Sequence, residues 1–161
     1  MACFSKPDKR YMRRAIREAE RNMRLRSGGP FGACIVMRGK ILAVARNTVL
    51  TTDSTAHAEI NAIRRASRLV KKYNLAGCQI YSTTEPCPMC FSAIHWARIG
   101  VLVYGTSIGD AKRCGFNELC VSARHMKRAG RSGIKIFSAF LKNECSALLD
   151  TYAALPDAET Y

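Results

Sequence analysis

Apolar residues recur at helical spacing over residues 8–25, where basic side chains lie between them. The repeated apolar positions are Tyr11, Ala15, Ile16, Ala19 and Met23. This period predicts an amphipathic helix, and Asp8 is suited to its N-cap. The segment 27–30, Ser-Gly-Gly-Pro, interrupts the period. Largely apolar segments at 31–37 and 41–46, separated by Arg-Gly-Lys, then predict two strands joined by a hairpin turn at 38–40.

The rest of the chain alternates between helical and strand patterns after a polar loop over 47–55. Helices are expected over 56–72, 87–97, 118–129 and 140–155, and Pro156 ends the last of them. Strands are expected over 78–83, 101–104 and 134–137. A loop is expected over 105–117. Strands joined through helices favour parallel neighbours, and the hairpin adds an antiparallel pair. We therefore expect an α/β fold with three α/β/α layers and a mixed five-stranded sheet. Residues 1–155 would form one domain, and 156–161 a C-terminal tail.

Composition and charge restrict the classes of function. The chain has 161 residues, of which 48% are hydrophobic and 24% charged. It contains no apolar run of the roughly 18 residues that a membrane span needs, and no secretory signal at its start, so we expect a cytoplasmic protein without membrane contact. The net charge of +14 allows a nucleic-acid partner, although a solvated basic surface accounts for it equally well.

Eight cysteines raise the question of a disulfide framework. The chain length and the missing signal sequence argue against one. Only the segment 87–90, Cys-Pro-Met-Cys, has metal-binding spacing, and Pro86 is expected in the first turn of its helix. The remaining cysteines are interpreted as small apolar or incidental residues: Cys3, Cys34, Cys78, Cys114, Cys120 and Cys145.

Cys87 and Cys90 lie one helical turn apart, so their thiols share a face. Alone, this pair fits a redox site, half of a structural zinc site or coincidence. His57, at the start of another predicted helix, supplies a third ligand. His95 and His125 lack ligand spacing, and three protein ligands leave the fourth position open for water, as in a catalytic zinc site. We expect one Zn²⁺ per subunit.

Glu59 follows His57 by two residues, between the apolar Ala58 and Ile60. A carboxylate beside zinc-bound water can accept its proton and help to generate hydroxide near neutral pH. It can then donate that proton to a ring nitrogen and a departing amine. Glu59 is therefore the expected catalytic acid and base.

The combination His-x-Glu followed by Pro-Cys-x-x-Cys is the signature of zinc-dependent nucleobase deaminases. Over nearly its whole length the chain resembles the cytidine deaminase-like superfamily, and within it the small bacterial-type guanine deaminases. The matching segments are 28–33 (GGPFGA), 47 (N), 55–59 (TAHAE), 85–90 (EPCPMC), 93–94 (AI), 96–98 (WAR), 115–116 (GF) and the terminal tyrosine. The resemblance implies hydrolysis of guanine to xanthine and ammonia.

The resemblance also implies substrate contacts. Asn47 would recognise the purine ring, Phe31 and Trp96 would form walls of the substrate pocket, and Ala58 would contact the substrate. After Gly115-Phe116 the family has two aspartates, whereas this chain has Asn117-Glu118, which keeps one carboxylate on a longer side chain. Further contacts would come from Glu118 and from Tyr161, the latter on a tail exchanged between the subunits of a homodimer.

Three alternatives remain open from the sequence. The tRNA adenosine deaminases share the zinc signature, and a basic surface suits an RNA backbone. Another purine or pyrimidine base or nucleoside is a further possible substrate. An inactive binding module with the same fold is disfavoured, because neither the zinc ligands nor Glu59 are missing.

Overall fold

The structure, a computed structural model, describes residues 6–161. Its α-helices are α1 (Lys9–Leu25), α2 (Ala58–Val70), α3 (Pro88–Trp96), α4 (Ile108–Arg113), α5 (Ala123–Ala129) and α6 (Lys142–Ala153). Its strands are β1 (Gly32–Met37), β2 (Lys40–Arg46), β3 (Cys78–Thr84), β4 (Val101–Thr106) and β5 (Lys135–Phe137). One 3₁₀ turn, Val49–Thr51, lies in the loop after β2.

The five strands form one mixed sheet in the order β2-β1-β3-β4-β5. β1 is antiparallel to both β2 and β3, whereas β3, β4 and β5 run parallel. The expected mixed five-stranded sheet is confirmed. The expectation that helix-connected strands are neighbours is wrong for β2 and β3: these strands are parallel, but β1 lies between them, so α2 crosses over β1.

The hairpin between β1 and β2 follows the predicted turn. Met37 pairs with Lys40, which leaves a two-residue loop of Arg38 and Gly39. Both loop residues have positive φ, 48° and 79°. Two-residue hairpin loops with positive φ at both positions match the twist of the strands, and glycine adopts this conformation without steric cost.

Helices cover both faces of the sheet, which gives the expected three layers. Alternate residues of β1 point to opposite faces. Cys34 and Val36 pack in the cluster with α1 and α6, and Ala33 and Ile35 pack in the cluster with α2 and α3. The start of α2 and the start of α3 therefore lie on the same side of the sheet.

Two boundaries differ from the prediction. The helix expected over 118–129 begins only at Ala123, because Ser122 is its N-cap and accepts a hydrogen bond from the His125 backbone N–H. The loop expected over 105–117 contains α4, which begins with a capping box between Ser107 and Asp110. The segment 114–122 between these two helices contains neither helix nor strand.

The cysteines that the structure describes are all free thiols, while Cys3 lies outside the described residues. The disfavoured disulfide framework is therefore not formed among them. In the part of the chain that the structure covers, no helix is long and apolar enough to span a bilayer.

Candidate active site

Two helices begin at the same place on one side of the sheet. His57 is the N-cap of α2 and Cys87 the N-cap of α3, both with extended backbone. Neither side chain caps its own helix, so each is available to a ligand. The first helical position of α3 is Pro88, rather than the expected Pro86. Cys90 follows in the first turn of α3 and is fully buried.

The three sequence-predicted ligands lie together. The candidate ligand atoms of His57, Cys87 and Cys90 are all within 4.8 Å of one another, and Cys87 Sγ lies 3.7 Å from His57 Nδ1. The ligand atoms of a tetrahedral zinc site lie within about 4 Å of each other. The three side chains therefore need to move together only slightly to bind the ion. Within residues 6–161 no further His, Cys, Asp or Glu joins the group. One imidazole and two thiols suit zinc and leave a fourth position for water.

The electrostatics of the ligands favour a thiolate at Cys87. The hydrogen bond from the Cys90 thiol lowers the pKa of Cys87 to about 4, and the contact with His57 adds to this against the effect of burial. The same hydrogen bond, together with burial, raises the pKa of Cys90. Burial alone would lower the pKa of His57, but the contact with Cys87 and the charge of Glu59 outweigh it and raise that pKa.

Glu59 lies beside the ligands in the first turn of α2 and is 6% exposed. Its Oε1 accepts a hydrogen bond from Ser82 Oγ at 2.9 Å, and its Oε2 accepts one from Cys90 Sγ at 3.5 Å. Burial raises the pKa of Glu59 above the ordinary value of a glutamate. A carboxyl group with a raised pKa, next to a candidate metal centre, is suited to accept and return a proton.

A cavity of about 150 Å³ opens onto the ligands. This is smaller than the roughly 300–1,000 Å³ of sites for drug-sized ligands. Its walls bring together residues from the sheet, both helix starts, the segment 114–122 and the C-terminus: Phe31, Asn47, His57, Glu59, Ser82, Thr84, Glu85, Cys87, Phe116, Asn117, Glu118 and Tyr161. The space suits one small ring system.

One end of the cavity is formed by Asn47 and Tyr161. The Tyr161 hydroxyl donates to Asn47 Oδ1 at 2.7 Å and accepts from the Gly29 N–H at 2.8 Å. Asn47 Oδ1 also accepts from the Val49 N–H. Asn47 Nδ2 makes no hydrogen bond within the described chain, so a donor remains available to a ligand.

Glu118 supplies a third carboxyl group to the cavity wall, besides those of Glu59 and Glu85. Burial raises the pKa of Glu118 to about 7, and the negative charge of Cys87 contributes in the same direction. Among residues 6–161, its carboxyl group has no hydrogen-bond or ion-pair partner. Glu118 is therefore available as an acceptor for a ligand with N–H donors.

The C-terminal tail lies against the cavity of its own chain. Asp157 forms an ion pair with Arg26, the Tyr152 hydroxyl donates to the Glu159 carbonyl at 2.7 Å, and the Asn117 N–H donates to the Tyr161 carbonyl at 2.9 Å. An exchanged tail would make the same contacts between two subunits. Exchange between subunits stays a prediction.

Two of the expected substrate contacts do not line the cavity. Trp96 is 75% exposed and borders a different groove, with Tyr73 and Arg98. It follows Cys90 by six residues, which points it about 120° away around the helix. Ala58 is fully buried in the core between α2 and the sheet. Trp96 therefore does not line the cavity of its own chain, and Ala58 packs in the core; a contact of either residue with substrate stays a prediction.

Sequence reasoning missed several lining residues. Ser82, Thr84 and Glu85 are at the end of β3, immediately before the Cys-x-x-Cys segment, and all are buried. Alternation was the available signal for Ser82 and Thr84, since residues two apart in a strand share a face, whereas Glu85 follows the strand and has no such signal. Asn22 was missed as well: its Nδ2 donates to the carbonyls of Gly28, Gly29 and Asn47 and fixes the backbone around Asn47.

Comparison with known proteins agrees with this geometry. A family profile for the cytidine and deoxycytidylate deaminase zinc-binding region matches residues 5–106. The guanine deaminase of Bacillus subtilis (strain 168) is 38% identical over 137 residues, which cover 84% of this chain and 88% of that protein. The tRNA-specific adenosine deaminase of Buchnera aphidicola subsp. Schizaphis graminum (strain Sg) is 38% identical over 125 residues, covering 76% of this chain and 79% of that protein.

Solved structures show the same two activities among similar folds. A guanine deaminase from Nitrosomonas europaea superposes with a TM-score of 0.85 at 27% identity, over 95% of this chain and 88% of that chain. A structure from a study of tRNA:A34 deaminases superposes with a TM-score of 0.75 at 30% identity, over 88% of this chain and 99% of that chain. The fold and the deaminase chemistry are common to both, whereas the substrate differs.

Proposed function

We propose that this chain, which belongs to the cytidine and deoxycytidylate deaminase zinc-binding family, is an aminohydrolase that converts guanine and water to xanthine and ammonia. The observation that carries the choice of substrate is Glu118, an acceptor on the wall of a small cavity whose end is formed by Tyr161. The similarity to guanine deaminases supports the same substrate.

The size and closure of the cavity favour a free base over a base in a nucleic acid. The cavity has about 150 Å³, and the Tyr161 hydroxyl bonds to both Gly29 and Asn47 across one end. A flipped nucleotide would need an opening for its sugar and phosphate. A free purine needs no space beyond its ring system, so the small volume and the end covered by Tyr161 favour guanine.

The polar groups of the cavity match the edges of guanine. Guanine presents acceptors at O6 and N7 and donors at its exocyclic amine. Asn47 Nδ2 has a free N–H pair for an acceptor, and an ionised Glu118 is an acceptor only, as the N–H groups of guanine require. Phe31 and Phe116 contact each other edge to face at 4.8 Å between ring centroids, and both line the cavity, so they offer apolar walls for the purine.

The ligands His57, Cys87 and Cys90 would hold the zinc ion at the cavity. When bound, zinc lowers the pKa of a coordinated water towards neutrality. Glu59, held by Ser82 Oγ at 2.9 Å, accepts a proton from the attacking water and delivers it to the ring nitrogen beside the carbon that carries the amine. The second proton of the water goes to the departing amine, so that ammonia leaves and the ring carbon keeps the oxygen.

The decisive experiment measures ammonia release by the zinc-loaded protein from five substrates in parallel: guanine, adenine, cytosine, cytidine and a tRNA anticodon stem-loop. We expect guanine to give the highest kcat/KM. Deamination of the stem-loop without turnover of guanine would overturn the proposal.

A second candidate, tRNA adenosine deamination, is favoured by one observation, the net charge of +14. A free-base enzyme does not need this charge, whereas binding of an RNA backbone uses it. The similarity to tRNA-specific adenosine deaminases, at 38% identity, supports this candidate too. Conversion of adenosine to inosine in the stem-loop, falling steeply as salt is raised, would establish it.

A further inference from the structure

Glu85 uses both of its carboxylate oxygens on backbone N–H groups. It follows β3 directly, is 8% exposed and lines the cavity. Its Oε1 accepts from the Ala123 N–H at 2.9 Å, and its Oε2 accepts from the Ile108 N–H at 3.2 Å. Its own N–H donates to the Thr106 carbonyl of β4 at 2.8 Å. One side chain thus joins two distant parts of the chain to the sheet.

Ile108 and Ala123 are the first residues of α4 and α5. The N–H groups in the first turn of a helix have no partner inside the helix, so they are free to bind Glu85. Between α4 and α5 lies the segment 114–122, which has no helix or strand and carries Phe116 and Glu118 to the cavity wall. Glu85 therefore holds the helices at both ends of this segment.

Each of the two helices also has its own N-cap. Ser107 and Asp110 form a capping box at the start of α4, and Ser122 accepts from the His125 N–H at the start of α5. Glu85 is therefore not required to begin either helix. Glu85 instead links the first residues of α4 and α5 to the end of β3, two residues before the candidate zinc ligand Cys87.

We propose that Glu85 is a positioning residue, which holds segment 114–122 against the cavity and so places Glu118 for substrate recognition. The anchoring part of this inference needs only the two hydrogen bonds. The part that concerns recognition rests on the proposed function, because it uses Glu118 as a substrate acceptor.

Glu85→Gln tests the double acceptor. The glutamine amide has one acceptor oxygen and a nitrogen that only donates, so one of the two N–H groups loses its partner while the size of the side chain is kept. Ala123→Pro tests the same link from the other side, because proline lacks the N–H. Proline is well suited to the first position of a helix, and Ser122 before it already has the extended backbone that proline requires (φ −66°, ψ 151°).

Hydrogen–deuterium exchange of the zinc-loaded full-length chain measures the anchor without any substrate. In Glu85→Gln we expect faster exchange at the starts of both α4 and α5 and in segment 114–122, with strands β1 and β3 unchanged and one zinc retained. Asp110→Asn weakens the cap of α4 and the ion pairs of Asp110 with Arg113 and Lys142 without touching α5. It is the matched control and should leave the start of α5 protected. Unchanged exchange at segment 114–122 in both Glu85→Gln and Ala123→Pro would overturn the proposal.

Steady-state kinetics then separates positioning from a general loss of structure. For both variants we expect KM for guanine to rise roughly tenfold and kcat to stay within about threefold, the pattern of lost uniform binding. An equal loss in kcat with unchanged KM contradicts a role in recognition. If the wild-type chain does not turn over guanine, the proposed function fails, whereas the exchange experiment still decides whether Glu85 anchors the segment.

Discussion

The Tyr161 hydroxyl donates a hydrogen bond to Asn47 Oδ1 at 2.7 Å, so the last residue of the chain contacts the end of β2. The same hydroxyl accepts from the Gly29 N–H, and burial raises the pKa of Tyr161, which keeps the phenol protonated as a donor. Because Asn47 Oδ1 is occupied by Tyr161 and Val49, the amide is held with its Nδ2 available to a ligand. Tyr161 therefore both encloses the cavity and orients Asn47.

The Tyr161→Phe variant isolates the orienting role. It keeps the ring, which contacts Phe116 edge to face at 5.6 Å between centroids, and removes only the hydroxyl. One hydrogen bond is worth about 1 kcal/mol, so we expect KM for guanine to rise about fivefold. Tyr73→Phe is the matched control, since Tyr73 is 74% exposed and borders another groove. An unchanged KM in Tyr161→Phe would contradict the orientation of Asn47 by this hydroxyl.

Glu59→Gln should abolish most turnover without releasing zinc. Glutamine can still accept the hydrogen bond from Ser82, but it cannot carry a proton. General acid–base groups typically contribute about 10²–10⁴ in rate, and Glu59 serves more than one transfer, so we expect a fall in kcat of at least about 10³. Glu20→Gln, an exposed change on α1, is the control. Activity of Glu59→Gln within tenfold of wild type would refute the assignment.

Zinc content distinguishes the ligands from the other histidines. His57→Ala removes one of three ligands and should bind far less than one zinc per chain, with activity lost. His95→Ala should keep one zinc, because His95 bonds Ser132 Oγ at 3.1 Å and lies in a different groove. Elemental analysis after dialysis against a chelator measures both. Retention of stoichiometric zinc by His57→Ala would contradict the ligand set.

The cluster of candidate zinc ligands could be predicted because its members belong to short motifs. Cys87 and Cys90 are three residues apart at the start of one helix, and the His-x-Glu part of the deaminase signature added His57 at the start of another. The structure brings the three side chains together. The start of α5 was not predictable in the same way: residues 118–122 fit a helix locally, but Ser122 and the distant carboxylate of Glu85 set its start at Ala123.

Trp96 and the tail show a second limit of sequence reasoning. An aromatic residue near the zinc motif is reasonably expected in the cavity, but the rotation of α3 after Cys90 turns Trp96 outwards, where it is 75% exposed. The contact of Tyr161 with Gly29 joins residues 132 positions apart. Such a contact depends on the path of the whole chain, which no local period encodes.

The pH dependence of guanine turnover should report Glu118. Burial raises its pKa to about 7, so the carboxyl group is mostly ionised above that pH and mostly protonated below it. The protonated form loses acceptor capacity, so KM for guanine should increase as the pH falls below about 7. Zinc with two thiolates is a neutral centre, so burial remains the main cause of the shift. In Glu118→Gln we expect a KM for guanine that is higher than in wild type at high pH and that no longer increases as the pH falls below about 7. If the variant keeps the wild-type dependence of KM on pH, Glu118 is not the group that titrates.

Removal of the tail tests whether residues 156–161 belong to the active site. A chain truncated after Leu155 loses Tyr161 together with the ion pair between Arg26 and Asp157. We expect zinc to be retained, because His57, Cys87 and Cys90 are untouched, while kcat/KM for guanine falls by more than in Tyr161→Phe, at least about tenfold, since water enters the open cavity. Full catalytic efficiency in the truncated chain would show that the tail has no part in the site.

Mixing two weakly active variants, Glu59→Gln and the truncated chain, decides which subunit the tail serves. We propose that the chain forms a homodimer, which light scattering can measure. If the tail covers the cavity of its own chain, as Arg26–Asp157 and Tyr161–Asn47 do within one chain, co-refolded Glu59→Gln and the truncated chain remain as weakly active as the average of the two. If the tail is exchanged, a mixed dimer pairs an intact tail from Glu59→Gln with an intact Glu59 from the truncated chain. Such a dimer has one complete site of two, and random pairing makes half of the dimers mixed, so the mixture as a whole would recover about a quarter of wild-type activity per chain.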